Sequence, residues 1–305
     1  MATKSGNPLI SVILPTYNRA YCIMPAIESV LRQTHEQLEL IIVDDCSTDN
    51  TVQVLSAISD PRVQVIRHEH NKGAAAARNT GLAAARGELI AFQDSDDEWC
   101  VSMLERQVRR RAELGPEYQV SYCAKVVHGR DDHGNFGARY AAYVPPADRK
   151  TVEGDVLDEV FQNAIASTQT IVVNKQLLQA VGGFDETLRV GVDWELTVRL
   201  ARHTKFAFIE DPLVMTRLMD DSITHRRLDS VHTIQVVMEK HRDLLGRSDE
   251  LHAAKEFQIA RVYQRGGQYR QAMPHLRKAI SKSPADLRCW AALAISAARS
   301  VFQAG

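Results

Sequence analysis

Two acidic groups in this 305-residue chain carry residue types and spacings that can do chemistry: Asp44-Asp45 and Asp94-Ser95-Asp96-Asp97. Closely spaced carboxylates repel one another unless a cation lies between them. Hard oxygen ligands of this kind suit Mg²⁺ or Mn²⁺, which complete their shells with substrate phosphates. A metal bridging a diphosphate neutralises the charge that grows on a departing phosphate. Each group also has a plainer reading. The Asp94–Asp97 run can be an acidic helix N-terminus, and Asp44 can cap the Ser47-Thr48 turn.

Position favours the chemical reading. Leu9–Leu14, Leu38–Val43, Val63–Arg67 and Glu88–Phe92 read as strands. Ala20–Gln33, Asn50–Ile58 and Ala74–Ala85 read as the intervening helices. That alternation predicts βαβ units: an α/β, Rossmann-like, mainly parallel sheet flanked by helices. The apolar runs are nearly continuous, as in strands covered on both faces. Ligands of such sheets bind outside the carboxyl ends of the strands. Asp44-Asp45 follows the second strand and Asp94–Asp97 the fourth, so both reach one edge.

Beyond Trp99 the pattern loosens. A charged helix, Met103–Leu114, precedes a strand-like run at Val120–Val127, and the polar stretch Gly129–Pro146 reads as a long loop. Thr170–Val173, Phe206–Ile209 and Leu213–Leu218 are extended in character, and Asp193–His203 is helical. From Asp229 onward the chain reads as all helix, so the expected division is 1–228 and a small helical segment, 229–305. Within that segment Ala260, Tyr263, Gly267, Tyr269, Ala272, Ala279 and Pro284 fall at the spacings of a tetratricopeptide repeat. Trp290 and Leu293 open a second, truncated copy; the alternative is a plain helical pair.

Lys+Arg (37) and Asp+Glu (38) nearly cancel, leaving a formal charge of -1 and no overall field for nucleic acid. Five scattered cysteines without a CxxC pair suggest neither a zinc site nor a disulfide framework. Met1–Pro8 lacks the apolar core of a signal peptide, and the longest apolar stretches are about six residues, against ~20 for a membrane span. The expectation is a cytoplasmic protein without a transmembrane segment, with peripheral attachment at the inner membrane face left open.

Four motifs then occur in order: Ser11-Val-Ile-Leu-Pro-Thr-Tyr-Asn-Arg19, Ile41-Ile-Val-Asp-Asp-Cys-Ser-Thr-Asp-Asn50, Asn71-Lys-Gly73 with Ala77-Arg-Asn-Thr-Gly81, and Phe92-Gln-Asp-Ser-Asp-Asp-Glu-Trp99. Together they resemble the family 2 glycosyltransferases of the GT-A fold over roughly residues 9 to 225. The resemblance implies transfer of a sugar from a nucleotide-diphosphate donor, a UDP-sugar, to a hydroxyl of a saccharide or glycolipid acceptor, in polysaccharide or glycoconjugate synthesis. It implies that Pro15, Thr16 and Tyr17 line the nucleotide, with Asp45 accepting the base imide hydrogen. Arg78 would face the diphosphate, unless it is a solvated surface arginine. Asp94 would lie near the ribose or behind the direct metal ligand, and Ser95 would belong to the donor site. Asp96 would bind Mg²⁺ or Mn²⁺ directly, and Asp97 would orient the loop or begin the next helix.

Gly182-Gly-Phe-Asp-Glu186 and Gly191-Val-Asp-Trp-Glu-Leu196 resemble the family's acceptor-side motif. Val192 replaces the first member of its usual acidic pair, while Asp193 matches the aspartate that serves as base. The base must lie across the sugar from the leaving phosphate, which implies inversion at the anomeric carbon. The alternative for Asp193 is a helix N-cap with Glu195 in the first turn, and Glu195 is a second candidate for the base's task. His225 is either a surface histidine or a closing-loop ligand, and Trp99 and Trp194 either stack on sugar or pack in the core. Two rivals remain. A nucleotidyltransferase would carry a Gly-rich loop where Pro15–Arg19 has no glycine; a catalytically silent scaffold would act through its helical tail, docking a protein partner.

Overall fold

The computed structural model describes residues 7–129, 140–145, 152–217 and 228–302, and the side chains of all of these except 140–142, 301 and 302. The chain divides into two compact units, Met1–Thr187 with Leu196–Asp220 and Leu188–Glu195 with Asp221–Gly305.

The first unit is built on a sheet that begins as the apolar runs dictate. β1 (Ile10–Thr16), β2 (Leu38–Asp44), β3 (Val63–Arg67) and β4 (Leu89–Phe92) alternate with α1 (Ile23–Leu31), α2 (Thr51–Ser56) and α3 (Ala74–Ala84). Every residue of β1, β2 and β4 is buried, including Ser11 and Glu39. Those two polar groups satisfy each other, Ser11 Oγ donating to Glu39 Oε1 at 2.6 Å, and Arg86 adds its guanidinium to the same carboxylate. α3 lies close on β1 because Gly81 has no side chain; a Cβ there would stand 2.4 Å from Ile13 Cγ2.

The unit continues through β5 (Glu98–Trp99), α4 (Met103–Leu114), β6 (Val120–Gly129), β7 (Tyr140–Val144), α5 (Leu157–Gln162), β8 (Ile171–Asn174), α6 (Lys175–Ala180) and β9 (Phe206–Arg217). Among the described residues nine strands form one sheet in the order β3-β2-β1-β4-β8-β6-β9-β5, with β7 paired to β6. β3-β2-β1-β4 is parallel, as expected. Beyond β4 the sheet is mixed: β8 runs antiparallel to β4 and β6, β9 parallel to β6, and β5 antiparallel to β9.

Two local expectations are corrected. Gly129–Pro146 is not all loop, because Tyr140–Val144 pairs antiparallel with Lys125–Gly129. Its short Tyr-Ala-Ala-Tyr-Val run is too weak a signal to stand out from polar surroundings, and its strand character comes from pairing with β6. The two extended runs around Glu210-Asp211 are one strand. A register shift opposite Cys123–Lys125 absorbs the charged pair and Pro212, so the ladder resumes with Val214 on Lys125. Leu218 lies outside the described residues.

The second unit is helical: α8 (Asp229–Lys240), α9 (Arg242–Leu245), α10 (Asp249–Arg265), α11 (Tyr269–Lys282) and α12 (Leu287–Phe302), together with Leu188–Glu195. That last segment contains the first turn of α7 (Val192–Ala201), whose remaining residues belong to the sheet unit. α10, α11 and α12 pack through small side chains, with Ala260, Ala272, Leu276 and Ala292 forming one cluster. Gly267, at φ +73°, turns the chain between α10 and α11. Among the described residues no helix is long and apolar enough to cross a membrane.

Candidate active site

Strand register brings the first two motifs together. Thr16 pairs with Asp44 and Ile13 with Phe92, so β1, β2 and β4 end along one edge. Immediately beyond it, Asp45 donates its backbone N–H to Thr16 O at 2.8 Å. The loops after β1 and β2 are then laced side by side. Asn18 N donates to Ser47 Oγ (2.9 Å), Thr48 N to Asn18 Oδ1 (2.8 Å) and Arg19 N to Thr51 Oγ1 (2.9 Å). Asn18 and Cys46 both hold positive φ, which aims these loops back at each other. Pro15 and Thr16 are buried, while Tyr17 is 44% exposed and presents an open aromatic face.

Asp45 is buried and firmly held. His68 donates from Nδ1 to Oδ1 at 2.7 Å, Lys72 N to Oδ1 at 2.8 Å and Gly73 N to Oδ2 at 2.7 Å. A carboxylate has about four lone-pair positions, so one remains on Oδ2 for a further donor. The other ring nitrogen of His68 lies 2.9 Å from Thr80 Oγ1 on α3. Asp44 behaves differently. It accepts from Ser47 N at 3.2 Å and pairs with Arg67, the turn-capping arrangement.

Arg78 is not a solvated surface arginine; it is 7% exposed and donates to Asp94 Oδ1 at 2.6 Å. Its guanidinium carbon lies 5.5 Å from the Phe184 ring, a cation–π contact, and its Nε is buried without a hydrogen-bond partner. The neighbouring Asn79 donates to Phe184 O and Glu186 Oε1 and accepts from Phe184 N. The Gly182–Glu186 turn is therefore docked on the helix that supplies Arg78.

The four residues after β4 have distinct surroundings. Asp94 is engaged by Arg78, Ser95 is buried and Asp96 is half-buried. Asp97 is buried and accepts from Gln169 Nε2 (2.8 Å), Thr216 Oγ1 (3.0 Å) and Arg217 N (3.3 Å). Burial, with the negative charges of Asp94 and Asp96 beside it, pushes the Asp97 carboxyl up to about 8. A cavity of about 100 Å³ lies beside Asp96 and Asp97, bounded by Tyr21, Cys22 and the Glu98–Arg217 pair. It has room for a few waters or a hydrated ion, while a whole ligand generally needs ~300 Å³ or more. Among the described residues no three His, Cys, Asp or Glu side chains converge into a preformed metal cluster.

Trp99 is core: it is buried, with Nε1 donating to Gln169 O at 3.0 Å. In the helical unit, Asp193 is half-buried in the first turn of α7, inside the helix rather than at its N-cap, and accepts from Trp194 N at 2.9 Å. Glu195 is fully buried and receives Lys240 Nζ at 2.7 Å. A carboxylate so enclosed has no open face for an acceptor hydroxyl. Trp194 is buried with Lys255 Nζ over its ring, and burial pushes that amine down to about 7. His225 lies outside the described residues.

A model of the family described as glycosyl transferase family 2 matches residues 11–164, just over half of the chain. This chain belongs to that family. The putative teichuronic acid biosynthesis glycosyltransferase TuaG of Bacillus subtilis is 35% identical over 171 residues, 55% of this chain and 63% of the relative. The chain thus matches less than two thirds of the length of the first curated relatives. Staphylococcus aureus TarS 1-349, solved in complex with UDP-GlcNAc, superposes with TM-score 0.66 at 21% identity, covering 95% of this chain and 88% of that one. The mannosyltransferase PcManGT of Pyrobaculum calidifontis, solved with GDP-Man and Mn²⁺, gives TM-score 0.60 at 21% identity, covering 97% and 81%. At such identities these likenesses establish the GT-A fold and nothing finer.

His68, Gln169 and Thr216 lie outside the motifs, and Asn79 lies inside the third without a role assigned to it, yet they fix Asp45, Asp97 and the Gly182–Glu186 turn. One signal was available for His68, which directly follows β3 and so reaches the same sheet edge as Asp45 and Asp94. Nothing local marks Gln169 or Thr216.

Proposed function

We propose that this family 2 chain is an inverting, metal-dependent glycosyltransferase that takes a sugar from a UDP-linked donor to an acceptor hydroxyl, in the assembly of a bacterial surface polysaccharide or glycoconjugate. The observation that carries this reading is the single edge on which Asp45, the Arg78–Asp94 pair and half-exposed Asp96 follow successive parallel strands. Pro15, Thr16 and exposed Tyr17 bound the base end, where Asp45 keeps one acceptor position for an imide N–H. Asp94 and Ser95 take the ribose side. Relatives named for UDP-glucose and neighbours solved with UDP-GlcNAc support a uridine donor.

The donor set fits Mg²⁺ or Mn²⁺. Asp94 is engaged by Arg78 and Asp97 is buried among three donors, while Asp96 is half-buried and matches the family's direct metal ligand. One protein carboxylate with substrate phosphates is a common arrangement for Mg²⁺. Such a cation supplies neutralisation of charge on the departing diphosphate and relieves repulsion among Asp94, Asp96 and Asp97. In the transfer, Asp193 takes the acceptor hydroxyl proton as that oxygen bonds to the anomeric carbon. The bond from this carbon to the phosphate oxygen breaks, and its electron pair leaves with UDP.

The tail, residues 229–305, is read as about one and a half tetratricopeptide-like repeats, with Ala260 and Tyr263 on α10, Ala272 and Ala279 on α11, and Trp290 and Leu293 on α12. Its exposed Leu287, Trp290 and Ile295 suit attachment to a protein partner or a membrane-associated assembly.

Thermal denaturation tests the core of this reading. UDP with Mn²⁺ is expected to raise Tm more than UDP alone, since a ligand that binds only the native state stabilises it. No shift with either supports the silent-scaffold reading instead. A second expected result concerns His68. His68→Leu removes one donor from Asp45 and should weaken UDP about tenfold, the worth of one hydrogen bond to a charged group. Calorimetric titration measures this; wild-type affinity would mean Asp45 does not hold the base.

A further inference from the structure

We propose that the C-terminal helices hold the acidic first turn of α7 in its working orientation, with Lys240 and Lys255 as positioning residues for Asp193. This rests on the reading of Asp193 as the base and asks what aims it. Leu188–Glu195 belongs with the helical unit, although the rest of α7 belongs with the sheet. Three helical side chains grip this segment. Thr233 Oγ1 on α8 donates to Val190 O at 2.6 Å. Lys240, at the end of α8, donates Nζ to Glu195 Oε1 at 2.7 Å. Lys255, on α10 and only 1% exposed, places Nζ 4.4 Å from the centre of the Trp194 ring.

The close fit extends to the backbone. Gly191 holds φ +67°, and a Cβ there would stand 2.9 Å from Thr233 Cγ2. The residue two before Asp193 is therefore pressed on α8, and the two after it are in contact with Nζ of Lys255 and of Lys240. Successive helical side chains are separated by about 100° of rotation, so pinning Trp194 and Glu195 also sets the direction in which Asp193 points. The arrangement accounts for a fully buried carboxylate that no catalytic role requires. Burying Glu195 is tolerable only with its cation in place, which makes the Glu195–Lys240 pair a lock on helix rotation.

The test uses the full chain as wild type, Lys240→Met, Lys240→Arg and Asp193→Asn. UDP release from UDP-N-acetylglucosamine and UDP-glucose is followed with Mn²⁺, alongside calorimetric binding of UDP. Lys240→Met should lower kcat about tenfold or more while KM and UDP affinity stay within about twofold, and Lys240→Arg should restore most of the loss. Wild-type kcat in Lys240→Met, or an equal loss in Lys240→Arg, overturns the proposal. So does a joint loss of kcat and UDP binding, which marks general destabilisation. Asp193→Asn separates the claims. If it is inactive while Lys240→Met is fully active, the base stands and its positioning fails; if it turns over normally, the base assignment itself is wrong. Hydrogen exchange needs no substrate. Amides in 193–197 should exchange faster in Lys240→Met and Lys255→Met, with those of β1 and β2 unchanged; unaltered exchange at 193–197 overturns the proposal.

Discussion

Asp96→Ala is expected to abolish the Mn²⁺-dependent part of UDP stabilisation, so that UDP raises Tm equally with and without the metal. Transfer should fall by about a thousandfold or more, because metal stabilisation of a leaving diphosphate is worth several kcal/mol. The reason lies in how its neighbours are engaged. Asp94 is drawn to Arg78, and Asp97 is enclosed by Gln169, Thr216 and Arg217 N. Neither can replace Asp96 without breaking buried hydrogen bonds. Substituting a neutral side chain also removes one of the two charges that push the Asp97 carboxyl up, so the fold should tolerate it. A variant whose Tm still responds to Mn²⁺ in the presence of UDP would move the metal site away from Asp96.

Asp193→Asn should keep donor binding and lose transfer by about 10²–10⁴-fold, the usual contribution of a positioned general base. Asparagine retains the shape of the side chain and its acceptor oxygen for Trp194 N, so the first turn of α7 need not change. What it cannot do is accept the hydroxyl proton at neutral pH. The expected signature is a fall in kcat with donor KM nearly unchanged, measured by steady-state UDP release. Near-wild-type turnover would remove Asp193 from the reaction. Glu195 would not then inherit the task, since it is fully buried against Lys240.

The parallel half of the fold and the edge it creates were legible because their signals are local. Apolar runs of β1, β2 and β4 end directly at Thr16, Asp44 and Phe92, and an acid next in sequence to a strand end must lie at that edge. Partners distant in sequence were not legible. Asp97 takes its surroundings from Gln169 and Thr216, and Glu195 from Lys240. A carboxylate in a motif looks the same whether it will be open to substrate or sealed in the interior, and only packing decides. Glu195 shows this well: beside the motif aspartate it is a second candidate base, and by burial against Lys240 it is a structural anion. β7 was missed for a related reason, since its strand character depends on β6.

The chain of contacts from Asp45 through His68 to Thr80, and along α3 to Arg78 and Asp94, has a consequence for donor choice. On the proposed reading it links the group that reads the base to the groups that face the phosphates, through one helix, the buried His68 and the half-buried Thr80. Such a linkage works as a caliper of fixed opening. A donor with one phosphate too few would satisfy one jaw and miss the other, so selection by length would operate before any sugar is recognised.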